Sequence, residues 1–340
     1  MNCLTTLFIS ILGLLTSCTS PSDEPDVRDL VVPNQKNWIA KSVSIPYQNP
    51  FESMIVFGDS LSDTANLKAN TWGIVLPAHL YWEGRFSNGP IWLDYASRGL
   101  QLRLVSYAVG GAETQETKGY SGFFVSSLHE QIDDYLNDTT QSERKKHLGV
   151  IWIGANNYFA KINDDPRQVI EDISKQAQLL LQRGLQTLVI GTMPELAGLP
   201  VPPNQSKRRP DREFKKITRS HNTLCRKLVS QLQKTWPRKN IVLWDAYDIY
   251  HQATRNPIKF GFRDLDTACY PGDLYGEFKQ DDKSFCVDLM GTRHWDYTHP
   301  NTMMHCYYAT KFLADLGSEL SYITFNYNQA KIMCRRLSER

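Results

Sequence analysis

Beyond residue 15 the chain has no apolar run long enough to cross a bilayer as a helix, which takes about 20 residues. Net charge is nearly absent too: 38 Lys and Arg face 36 Asp and Glu, a formal +2. No basic stripe dominates, which excludes the electrostatic footprint of a nucleic-acid-binding protein. No grouping of His, Cys, Asp and Glu has metal-ligand spacing, so neither a metal nor another cofactor is expected. No internal repeat recurs. What is present is ordinarily globular, 41% apolar and 22% charged over 340 residues, enough for one large core or two small ones. The 8 Trp and 16 Tyr fit either binding walls or core.

The N-terminus differs from the rest. Residues 4–15 form an apolar stretch of signal-peptide length, although Met1-Asn2-Cys3 has no Lys or Arg. Leu15-Thr16-Ser17-Cys18 resembles the bacterial lipobox, in which the cysteine becomes a lipidated first residue. The reading is therefore residues 1–18 as signal peptide with Cys18 as lipidation site, giving an exported chain, either a membrane-anchored lipoprotein or secreted. Residues 19–50, rich in Ser, Pro, Asp and Asn, read as a tether and lead-in. A main folded domain is expected over 51–320 and a C-terminal extension over 321–340.

From residue 51 apolar strand-like runs alternate with helical patterns. Strands are expected at Met54–Phe57, Leu102–Ala108, Leu148–Ile153, Thr187–Gly191 and Ile241–Trp244. Helices are expected at about 122–137, 166–183, 211–235 and 301–316. Asp165-Pro166 is a good helix start and Gly184 a good stop. Such alternation implies a parallel sheet with helices on both faces. Two segments break it: a proline-rich loop at 198–210 with a basic tip, Lys207-Arg208-Arg209, and a long irregular excursion at 256–295. Loops of that length are often lids or binding rims.

Four short stretches have the residue types that acyl transfer requires: a nucleophile, a base, a group to orient the base, and oxyanion donors. Gly58-Asp59-Ser60-Leu61 follows the first strand, where Ser60 would meet unpartnered N–H groups at a helix start; a plain capped turn fits equally. Gly110-Gly111 follows the second strand and Gly154-Ala155-Asn156-Asn157 the third, each also readable as a turn. Asp296 and His299 are one turn apart near the C-terminus, a spacing that suits a carboxylate fixing an imidazole but also a helix cap. In this order, all four converge on the carboxyl edge of a parallel sheet.

Taken together, these stretches resemble the GDSL (SGNH) hydrolase family over most of 51–316. The resemblance is closest to its bacterial phospholipase A, lysophospholipase and glycerophospholipid:cholesterol acyltransferase branch. Its signals are Phe57-Gly-Asp-Ser-Leu-Ser-Asp-Thr64, Trp82-Glu-Gly-Arg-Phe-Ser-Asn-Gly-Pro90, Gly154-Ala-Asn-Asn-Tyr158, and the run from Phe260 through Cys269, Cys286 and Trp295-Asp296 to His299-Pro300. The resemblance implies a three-layer α/β/α sandwich on a five-stranded, flavodoxin-like parallel sheet. It implies Ser60 as nucleophile, His299 as base and Asp296 as its orienting acid. The oxyanion hole would be the Ser60 N–H, the Gly111 N–H (Gly110 as alternate) and the Asn156 side chain. Asp59 would support the elbow, and Arg85 and Asn88 the loop after it. Asn157 departs from the family, which usually has Asp there, and puts loop support in doubt. Asn301 replaces a common Thr and can cap the last helix.

The implied substrates are phospholipid or lysophospholipid at a membrane surface, with cholesterol as a further acyl acceptor, acted on by a monomer. A carbohydrate O-deacetylase or small-ester esterase is the alternative within chemistry; an inactive lipid- or host-binding surface lipoprotein is the alternative outside it. Of the 7 cysteines, Cys3 and Cys18 fall in the leader, and the resemblance pairs Cys269 with Cys286. Cys225 and Cys306 read as core. Trp72, Leu76, Leu80, Tyr81 and Trp82 are expected either to line an acyl-chain cleft or to pack in the core.

Overall fold

Met54 and Val56 pack into one core cluster, and Ile55 and Phe57 into a second on the opposite face. This is the two-residue alternation of a strand buried on both sides. The structure, a computed structural model, describes residues 42–44, 49–115, 123–160, 164–201, 209–277 and 284–339. The leader with Cys18 and the Lys207-Arg208 tip lie outside the described residues.

The five strands are β1 (Ser53–Gly58), β2 (Arg103–Ser106), β3 (His147–Trp152), β4 (Thr187–Gly191) and β5 (Asn240–Trp244). They form one parallel sheet in the order β2-β1-β3-β4-β5. The order reverses about β1, so the carboxyl end of β1 is the topological switch point, where α/β sheets open a crevice. The main helices are α1 (Trp92–Leu100), α2 (Leu128–Asp138), α3 (Pro166–Gln182), α4 (Asp211–Thr235), α5 (Ala246–Arg255), α6 (Thr302–Glu319) and α7 (Tyr327–Arg335). Apolar residues of α2, α3 and α4 join the Ile55–Phe57 face; those of α1, α5 and α6 join the Met54–Val56 face. The result is the expected three-layer α/β/α sandwich.

Local chemistry sets the helix ends. Asp165 accepts the Arg167 N–H at 3.0 Å with Pro166 in the first turn of α3. Asn301 caps α6 through the Met304 N–H at 2.9 Å, the job expected of it. α2 starts at Leu128 rather than near 122 because Ser127 and Glu130 form a capping box there. Neither α1 nor α5 was expected.

The 256–295 excursion is not wholly irregular. It contains β6 (Asp264–Ala268) and β7 (Thr292–His294), a parallel pair. Residues beyond 320 fold back onto the sandwich. Thr324–Phe325 pairs antiparallel with Val43–Ser44, and a Cys306–Cys334 disulfide ties α7 to α6. Cys306 is thus in the core, as expected, but also bonded; Cys225 is buried and free. Among the described residues no helix is long and apolar enough to cross a membrane.

Candidate active site

β1 ends at Gly58, where an added Cβ would lie 2.6 Å from the Trp152 carbonyl oxygen of β3. Only glycine lets the strands approach so closely. The Gln131 side chain of α2 clamps this residue, accepting its N–H and donating to its carbonyl, both at 2.9 Å. The expected helix after Gly58 is a single 3₁₀ turn, Ser60–Ser62, capped by Asp59 through the Leu61 N–H at 3.1 Å. The chain then turns away because Asp63 takes the N–H groups of Asn66 and Leu67 at 2.6 and 3.1 Å. Burial pushes the Asp59 and Asp63 carboxyls up to about 6.

The Asp296–His299 segment reaches this turn from β7 and meets it 239 residues away in sequence. His299 Nε2 lies 2.8 Å from Ser60 Oγ. His299 Nδ1 lies 2.9 and 2.8 Å from the two Asp296 oxygens. A proton on Nδ1, donated to the carboxylate, leaves the Nε2 lone pair to accept the serine hydroxyl. Oδ1 of Asp296 also accepts the Thr298 and His299 N–H groups at 2.8 and 2.7 Å. Burial works against charge on Asp296, but the His299 ring and these donors outweigh it and hold the carboxyl below its ordinary range. The Phe86 ring packs on His299, with centroids 4.7 Å apart.

The two glycines after β2 differ. Val109–Ala112 is a turn closed by the Ala112 N–H to the Val109 carbonyl at 3.0 Å, with Gly111 at φ +86°, the position where a type II turn needs glycine. The Gly110 N–H is taken by Asp63 Oδ2 at 2.8 Å, while the Gly111 N–H has no partner among the described residues. Asn156 opens the short helix Ala155–Ala160 and borders the cleft beside Ser60; its amide donates to the Ala112 carbonyl at 3.0 Å. Asn157 faces away and exchanges two hydrogen bonds with Thr114, both 3.2 Å. It therefore tethers the Gly111 loop, and half of that exchange needs an amide donor that an aspartate would lack.

Ser60 and His299 open onto a cleft. Its apolar wall comes from Leu61, Ala155, Phe159, Leu196 and Leu199. None of the residues considered as acyl-cleft candidates borders it. Leu76, Leu80 and Tyr81 are buried, and Trp72 is 81% exposed. Trp82 instead lies under the Arg85 guanidinium, 5.1 Å from its ring centroid. Leu196 and Leu199 were missed; they follow β4, and the same sheet-edge rule that singled out Ser60 points to them. Arg85 pairs with Asp94 at 2.9 Å and Asn88 accepts the Thr302 N–H at 2.9 Å, so both brace the loop. Arg209 of the basic tip is paired with Asp164.

The disulfide excursion adjoins this site. Cys269 is bonded to Cys286. The Cys269 and Tyr270 N–H groups donate to the His294 and Trp295 carbonyls at 3.0 and 2.6 Å. The loop is thereby fastened to the backbone just before Asp296. No grouping of His, Cys, Asp or Glu among the described residues is fit to hold a metal.

A parallel sheet with a Ser-His-Asp chain at its switch point defines a serine ester hydrolase or acyltransferase. The GDSL-like lipase/acylhydrolase family model matches residues 54–312, and the chain belongs to that family. It is 28% identical over 231 residues to a phosphatidylcholine-sterol acyltransferase of Aeromonas hydrophila, covering 65% of this chain and 66% of that one. It is 24% identical over 308 residues to a thermolabile hemolysin of Vibrio parahaemolyticus, covering 85% and 69%. The chain thus spans about two thirds of each of these relatives. Among solved structures, an acetyl-xylooligosaccharide esterase from Geobacillus aligns over 79% of this chain and 97% of that one, with 11% identity and a TM-score of 0.44.

Proposed function

We propose that this protein is a phospholipase A or lysophospholipase A that works through an acyl-enzyme, with a sterol hydroxyl able to replace water as acceptor. The observation that carries the reading is the unbroken chain Asp296–His299–Ser60, with contacts of 2.8 Å on each side of the imidazole, opening onto a cleft with an apolar wall. Ser60 Oγ attacks the lipid ester carbonyl as its proton passes to His299 Nε2. The Ser60 and Gly111 N–H groups and the Asn156 amide receive the oxyanion. His299 returns the proton to the departing lysolipid or glycerophospho alkoxide. Water, deprotonated by the same imidazole, then attacks the acyl-serine and releases fatty acid; a sterol hydroxyl in its place yields a sterol ester.

The Aeromonas relative supports the lipid reading through its named substrates. Trp72, Ile74 and Phe123, which are 81%, 62% and 82% exposed, offer an apolar edge for a membrane surface. Export, with Cys18 as a lipid anchor, belongs to the same reading. The test is release of fatty acid from lysophosphatidylcholine and diacyl phosphatidylcholine, with and without cholesterol, beside Ser60→Ala. Release by the wild type alone is the expected result. Cleavage of acetylated sugars with no lipid turned over would instead establish the deacetylase reading, and inertness of the folded protein on every ester would establish a binding protein.

A further inference from the structure

We propose that Tyr81 is a positioning residue of the catalytic machinery, its phenol locking the carboxylate that orients His299. The hydroxyl of Tyr81 donates to Asp296 Oδ2 at 2.9 Å, across 215 residues of sequence. Both groups are buried. The two carboxylate oxygens are therefore held from different directions, Oδ1 by the Thr298 and His299 N–H groups and Oδ2 by the phenol. Nδ1 of His299 sits almost equally far from both oxygens. It can choose a stable orientation only if the carboxylate plane is fixed from outside the pair. Without the phenol, Oδ2 would be buried with only the imidazole to satisfy it.

The Tyr81 ring is itself wedged. It meets Tyr270 edge-on at 5.9 Å and Phe86 at 6.4 Å, and Phe86 in turn packs on His299. Its own loop is pinned by the Leu76 N–H to the Leu274 carbonyl at 2.8 Å. The phenol thus has one place to point. Burial first, and the neighbouring Asp296 charge second, keep it protonated and a donor throughout the working range.

The inference rests on reading Ser60, His299 and Asp296 as the triad, and its test separates the two. Tyr81→Phe keeps the ring and its packing and removes only the oxygen. Losing a hydrogen bond to a buried charged group is expected to lower kcat about ten- to a hundredfold, with KM unchanged. The Asp296 charge, no longer shared with a phenol, then favours the imidazolium more strongly. The acid limb of kcat/KM, which needs neutral imidazole, should move to higher pH. Other groups whose charges act here are Asp59, His294 and His305 toward the imidazole, Arg293 beside His294, and Tyr270 and Asp273 toward the phenol. Burial holds both histidines low and raises the Asp59 carboxyl, and Tyr81→Phe leaves these three side chains in place, so a shift between the two proteins is assigned to Tyr81. A kcat within twofold of wild type, or a loss of activity with an unmoved acid limb, overturns the proposal. Ser60→Ala run alongside reports on the triad: background activity there with a normal Tyr81→Phe removes only this inference, whereas an active Ser60→Ala removes both. Melting temperatures of all three proteins accompany the kinetics, and an unfolded Tyr81→Phe counts against the proposal, because the phenol then serves the fold.

Discussion

Asp63 Oδ2 accepts the Gly110 N–H at 2.8 Å, so the loop after Ser60 and the turn ending in Gly111 are joined by one bond. That bond engages the Gly110 N–H, so of the two glycines Gly111 is the one proposed as oxyanion donor. A Cβ on Gly110 would lie 2.2 Å from Phe86 Cζ, and Phe86 packs on His299. Gly110→Ala should therefore lower stability by about 1–3 kcal/mol and also lower kcat. Urea melts and kinetics check both; an unchanged kcat would show that Phe86 can move without disturbing the imidazole.

Asn156 should act on rate alone. Its side chain is half-buried at the cleft, so Asn156→Ala removes the proposed oxyanion donor at the cost of one hydrogen bond, to the Ala112 carbonyl. The expected loss is about 100- to 1,000-fold in kcat with the melting temperature held. Asn157→Asp, by contrast, keeps the acceptor for the Thr114 N–H and loses the donor to its hydroxyl, so a modest change in stability is expected with kcat within a few fold of wild type.

The two disulfides should separate stability from activity. Each closes a loop worth about 3 kcal/mol in the chain-entropy account. Cys306–Cys334 joins α6 to α7, so replacing both residues with serine should lower the melting temperature and leave kcat intact. Cys269–Cys286 holds Tyr270, which packs on Tyr81 and Trp295, so its removal should lower kcat as well. Equal effects of the two replacements on kcat would contradict this.

Asp59 should give a pH signature. Burial raises its carboxyl from 3.8 to about 6. Between those values the folded chain holds a proton that the unfolded chain has released, so this group's contribution to stability falls as pH rises from about 4 to 6. Asp59→Asn removes the penalty and keeps an acceptor for the Leu61 N–H. Its stability relative to wild type should climb across that interval, by at most about 3 kcal/mol. A difference that stays flat with pH would refute the buried-carboxylate reading.

Several regular elements were legible in the sequence. β4 is found over Thr187–Gly191 and α4 over Asp211–Thr235, the spans expected, because one is a short apolar run and the other carries apolar residues at helical spacing. α1 was not, because it runs over only the nine residues Trp92–Leu100, too short a stretch for its periodicity to stand out. Ser60, Gly111, Asn156, Asp296 and His299 stood out because each follows a strand or lies in a short motif. Tyr81 did not: its aromatic ring suggested a cleft wall or core packing, and its partner lies 215 residues away. The Cys306–Cys334 bond was hidden in the same way, since a cysteine among core positions of a helix reads as packing. Leu196 and Leu199 lie in a loop without periodicity, where only the topology of the sheet points to them.

In the proposed reaction the acyl group passes through Ser60. The direct measurement is to mix enzyme with palmitoyl-lysophosphatidylcholine, quench in acid within the first turnovers, and map the peptides by mass. An ester-linked palmitoyl group on the Ser60 peptide of wild type, absent from Ser60→Ala, is the predicted result. Palmitate on any other residue, or fatty acid released by Ser60→Ala at the wild-type rate, would contradict it.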